Sequence, residues 1–87
     1  MSIMNSKQRK TLESIFTRPL RADIVWTDIE SLFRSLGASV ESGSGSRVHV
    51  ELNGEDASFH RPHPQKETDR GAVGSVRRFL ENAGVKP

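Results

Sequence analysis

The chain has 87 residues, a net charge of +2 and no cysteine. That length makes one small domain with a modest core, and the missing cysteine excludes disulfides and thiolate metal sites. No apolar run approaches the ~20 residues of a membrane span, and the N-terminus lacks an apolar leader core or a small-residue cleavage site, so a cytoplasmic protein is expected. The small net charge hides a pattern. Residues 1–21 carry +4, residues 22–59 carry −5 and residues 60–87 carry +3. A basic tail of this kind suits contact with phosphates as well as ordinary solvation.

Met1 to Met4 carries no structure signal, so fraying is expected there. Ser6 is the predicted cap of a first helix from about Lys7 to Thr17, with Leu12, Ile15 and Phe16 on one apolar stripe and Pro19 at or beyond its end. Arg21 to Trp26 reads as a connection with Ile24, Val25 and Trp26 buried in it. Thr27-Asp28-Ile29-Glu30 has the form of a capping box, which predicts a second helix with Thr27 as its N-cap. Ile29, Leu32, Phe33 and Leu36 fall on one face of that helix, and Gly37 is its left-handed stop.

Ala38 to Ser42 reads as a short strand with Val40 inward, and Ser42-Gly43-Ser44-Gly45 as a turn. The clearest signal follows. Val48, Val50 and Leu52 alternate with Arg47, His49 and Glu51, the period of a half-buried strand. Asn53-Gly54 is the dipeptide that a two-residue hairpin turn prefers, because both central residues take positive φ. With that turn, Leu52 lies opposite Glu55, Val50 opposite Ala57, His49 opposite Ser58, Val48 opposite Phe59, and Arg47 opposite His60. Cross-strand partners share a face. One face is therefore apolar, and the other presents Arg47, His49, Ser58 and His60.

Arg61-Pro62-His63-Pro64 reads as rigid and extended, since each proline fixes its own φ and restricts its neighbour. Asp69 or Thr68 is the predicted cap of a last helix from about Arg70 to Ala83. Val73, Val76, Leu80 and Ala83 form its core stripe, widened by Phe79, and Gly84 stops it. The order helix, helix, strand, strand, strand, helix predicts an α+β fold. Its three-stranded antiparallel sheet has helices on one face and solvent on the other.

That order, with particular motifs, resembles the HicA family of bacterial toxins. The motifs are Asp28-Ile29-x-x-Leu32-x-x-x-Leu36-Gly37-Ala38, Gly45-Ser46, His63-Pro64-x-Lys66, Gly71-x-Val73-x-Ser75-Val76 and Asn82-Ala83-Gly84-Val85. The resemblance spans about residues 27–85, within a single domain over 1–87 that carries an extra N-terminal helix at 5–18. It implies the α-β-β-β-α fold of double-stranded RNA-binding domains and ribosome-independent cleavage of mRNA; no cofactor is expected. It also implies neutralisation by a HicB-type antitoxin. In the family, Gly-Ser is followed by the histidine held to be catalytic; here Arg47 stands in that place, and His49 is the nearest histidine on the same face.

RNA cleavage without a metal needs a base for the ribose 2′-hydroxyl, an acid for the leaving oxygen, and positive charge at the phosphate. Histidine suits the first two roles, with an ordinary pKa near ~6.5. Arginine suits the third, being always charged and bidentate toward phosphate. Arg47, His49 and His60 are the candidate catalytic set. Ser46, Arg61, His63, Lys66 and Arg70 are candidate RNA contacts, Arg70 because it opens a helix. Two other readings stand beside this one: a domain that binds RNA without cleaving it, and an interaction module whose basic face docks an acidic protein.

Overall fold

The computed structural model describes residues 4–87. Met4 packs half-buried against the core rather than fraying, while residues 1–3 lie outside the described residues. Helix α1 spans Ser6–Ile15. Its cap is Asn5, not Ser6: the Asn5 side chain accepts from the Gln8 N–H at 2.8 Å and the Gln8 side chain accepts from the Asn5 N–H at 2.9 Å. This reciprocal pair satisfies two donors at once, which a lone serine one residue later does not.

The stretch expected to be a plain connection holds strand β1, Ile24–Val25. Helix α2 follows at once, Trp26–Ser35, two residues earlier than the capping-box signal placed it. Its N-cap is Val25, which offers no side-chain bond. The Trp26 N–H instead donates to the Lys66 carbonyl at 2.9 Å, so a distant chain segment fills the place of a cap. Gly37, at φ +87°, closes the helix. The Gly37 and Ala38 amides donate back to Arg34 and Phe33, both at 3.0 Å, which is a Schellman ending.

Strands β2 (Ser39–Ser42), β3 (Arg47–Leu52) and β4 (Glu55–His60) form an antiparallel sheet in the order β2-β3-β4. The β3–β4 register is the one the Asn-Gly turn dictates, from Leu52 opposite Glu55 to Arg47 opposite His60. Asn53 (φ +52°) and Gly54 (φ +84°) carry the turn. The Asn53 side chain also donates to the Ala83 carbonyl at 2.9 Å, pinning the hairpin tip to the end of the last helix. Strand β5, Glu67–Thr68, pairs antiparallel with β1 in a separate two-stranded sheet. Helix α3 spans Arg70–Asn82, capped by Asp69 and ended at Gly84 by the same Schellman pattern, with Val85 donating to Leu80 at 2.9 Å.

One face of the sheet shares a single core with residues of all three helices. Leu12 and Ile15 come from α1, Ile29, Leu32 and Phe33 from α2, Val48, Val50 and Phe59 from the sheet, and Val73, Val76 and Leu80 from α3. Four aromatic rings knit its centre. Phe59 lies 5.8 Å from Trp26 and 5.9 Å from both Phe33 and Phe79, centroid to centroid. Such spacing adds to the gain from burial alone. The opposite sheet face, bearing Arg47, His49, Ser58 and His60, is exposed. This is the α-β-β-β-α arrangement with an added N-terminal helix and a small second sheet.

Candidate functional site

The exposed sheet face is built by strand parity. Because Val48, Val50 and Phe59 are drawn into the core, their alternate neighbours must point out. Arg47 pairs with His60 and His49 with Ser58. His49 Nδ1 lies 3.4 Å from Ser58 Oγ. His49 and His60 are diagonal neighbours, a separation of roughly 7–8 Å between backbones. Arg47 and both histidines are exposed.

The third strand adds a residue that the sequence reading missed. Glu41 stands directly opposite His49 on β2, so Glu41, His49 and Ser58 form a row across the sheet. With Val40 turned inward, the period of two already placed Glu41 outward; only the pairing with β3 sets it beside His49. The face is also polarised along its length. Arg47 and His60 hold one end, and Glu51 opposite Asp56 holds the end near the turn. An anionic polymer is attracted to the first end and repelled by the second.

Beyond His60 the chain is held rather than extended. The Arg61 N–H donates to the Ser46 carbonyl at 2.8 Å. Its guanidinium donates from Nε to Glu30 Oε2 at 2.8 Å and from Nη2 to Ser42 Oγ at 3.0 Å. Arg61 is thus first the counter-ion of Glu30. The backbone then bends at His63 and Pro64, contrary to the extended course expected, because it must turn back to pair β5 with β1. His63 and Lys66 are exposed on this segment.

Arg70 lies at the start of α3, but its Nε donates to the Leu20 carbonyl at 3.1 Å. That bond ties it to the chain after α1. Arg78 is exposed, whereas Arg77 is half-buried. The structure therefore brings together Arg47, His49 and His60 with Ser46 beside them. It places His63 and Lys66 on the adjoining bend, and Arg61, half-buried, is paired with Glu30.

A cleft between α1 and β1 is lined by Lys10, Thr11, Arg21 and Asp28, with no histidine. Arg21 there holds Asp23 at 2.8 Å, which lowers the Asp23 carboxyl below its usual range through the hydrogen bond to Arg21. The sheet face bearing His49 and His60 is exposed. Among the described residues no helix is long and apolar enough to cross a membrane.

Residues 26–85 match the family model described as the HicA toxin of bacterial toxin-antitoxin. Neither curated proteins nor solved structures gave a match. The matched span begins at Trp26, so α1 and β1 lie outside it.

Proposed function

Because the chain belongs to the HicA toxin family of bacterial toxin–antitoxin systems, we propose that it is a cytoplasmic endoribonuclease that binds and cleaves mRNA and is inhibited by a HicB-type antitoxin. The observation that carries this reading is the outward row of Arg47, His49 and His60 at one end of the exposed sheet face. In the proposed reaction one imidazole takes the proton of a ribose 2′-hydroxyl. The freed oxygen attacks the adjacent phosphorus, and the bond to the 5′-oxygen breaks. The second imidazole gives that oxygen its proton, leaving a 2′,3′-cyclic phosphate and a 5′-hydroxyl. Arg47 neutralises charge on the phosphate. Ser46, His63, Lys66 and Arg70 extend contact along the strand's backbone. An antitoxin that neutralises the protein covers this same face or its basic rim.

A second reading has its own observation. Arg47 follows Gly45-Ser46 where the family carries histidine. A domain that holds RNA by shape and charge without cutting it needs arginine there and no base. Incubating the purified protein with RNA, with and without EDTA, separates the two readings. Cleavage that survives EDTA and disappears in His49→Ala, with the fold intact, supports the endonuclease. Salt-sensitive binding without cleavage supports the second reading, since released counterions drive such binding. Arg47→Ala weakens RNA contact in either case. Full activity of His49→Ala would remove His49 from the catalytic set and leave the base role to His60.

A further inference from the structure

Glu30 is an unusual residue for its place. Its side chain is only 9% exposed, and a buried carboxylate is costly unless it is paired and hydrogen-bonded. Here Oε2 accepts from both the Trp26 indole Nε1–H and Arg61 Nε. Oε1 faces Arg34 Nη2 at 3.7 Å. Arg61 in turn is held at three points: Glu30 on α2, Ser42 at the end of β2, and the Ser46 carbonyl before β3.

The far end of the same chain segment is held too. The Lys66 carbonyl accepts from the Trp26 N–H, and Glu67 and Thr68 pair with Val25 and Ile24. The residues between, Pro62 to Gln65, thus bridge two anchors. Both anchors rest on the first two turns of α2, and Trp26 serves both, with its indole at one end and its backbone at the other. His60 precedes the first anchor directly, and His63 lies on the bridge.

We propose that Glu30 is the positioning residue of the candidate site: through Arg61 it fixes the chain that leaves β4, and so the placement of His60 and His63 relative to Arg47 and His49. This role rests on the ribonuclease reading above. The physical reason for an ion pair here is direction, not stability. A buried pair is often no more stable than well-packed apolar residues of the same size. Two apolar side chains could fill this space, but they would not tie the chain after β4 to Glu30 and Ser42 as the Arg61 guanidinium does. The planar guanidinium fork holds its partners at set angles.

The test is the double variant Glu30→Met/Arg61→Met, which removes both charges together and leaves neither one buried alone. Glu30→Gln serves as a second variant that keeps the side-chain shape. In the wild-type protein, backbone order parameters across residues 61–66 are expected to match rigid secondary structure, about 0.85. They are expected to fall below about 0.6 in the double variant, with the terminal Arg47–His60 pair loosened as well, while the β3–β4 pairs from Val48–Phe59 to Leu52–Glu55 are unchanged. Cleavage at saturating RNA is expected to slow by roughly 10- to 100-fold, the scale of a misplaced catalytic group, with RNA affinity little altered. Glu30→Gln should shift both readouts in the same direction by less.

A folded double variant with unchanged order parameters overturns the proposal. So does one with a loosened segment and an undiminished cleavage rate. Should wild-type protein leave RNA uncut, the ribonuclease reading fails and the positioning role falls with it. That outcome differs from a failure confined to the variants, in which the wild type cuts and the variants cut equally well.

Discussion

Replacing Phe59 with alanine tests the packing on which the exposed face depends. Phe59 is 6% exposed, and its ring lies 5.8–5.9 Å from three other aromatic rings. Deleting a buried Phe ring costs about 3–5 kcal/mol, from lost transfer energy and the cavity left behind. The pair interactions with Trp26, Phe33 and Phe79, at ~0.5–1.5 kcal/mol each, are part of that loss rather than additional to it. Against a total stability of about 4–13 kcal/mol for a chain of this length, the loss is a large share. Urea unfolding can be followed by fluorescence of Trp26. It is the only tryptophan and is buried against Phe59 itself. With a slope of about 1–3 kcal/mol per molar urea, the midpoint should fall by at least ~1 M. His49→Ala, on the opposite face of the same hairpin, should change stability by no more than ~0.5 kcal/mol. A loss below ~1 kcal/mol for Phe59→Ala, or an equal loss for His49→Ala, would refute the assignment of the two faces and the site built on it.

Asn53→Ala should destabilise by roughly 2–3 kcal/mol: about 1–2 from forcing alanine into positive φ and about 1 from the lost bond to the Ala83 carbonyl. Thermal unfolding checks this, and an unchanged midpoint would show that the turn does not require Asn53. At the α1–β1 cleft, Arg21→Ala should raise the Asp23 carboxyl pKa, because the hydrogen bond from Arg21 is the main cause of its lowering. A carboxylate lowered in the folded state adds stability above its unfolded pKa, and that stability is lost as pH falls through the folded value. The carboxyl carbon shift of Asp23, followed by NMR through acid pH in both proteins, reads the change directly. Superimposed curves would mean that the pair does not form in solution.

Much of this protein was legible in the chain because its decisive signals are local. The alternation around Asn53-Gly54 fixes the β3–β4 register with partners at most 13 residues apart, and a one-residue slip would turn every side chain to the wrong face. Gly37 and Gly84 end their helices because the positive φ there suits glycine. Arg47, His49 and His60 were gathered on one face by that same short-range logic.

Other features depended on partners that no window of sequence contains. Strands β1 and β5 have two residues each, too few to show a period, and they form only because the folded chain lays Ile24 beside Thr68. Glu30 carried the local signature of a capping box, yet it bonds to the Trp26 indole and to Arg61, 31 residues away. Once α2 packs, that carboxylate is buried, and a buried charge is held by whichever donors the fold brings to it. Local pattern therefore set the faces of the sheet, while tertiary burial decided what Glu30 and Arg61 do and how the chain leaves His60.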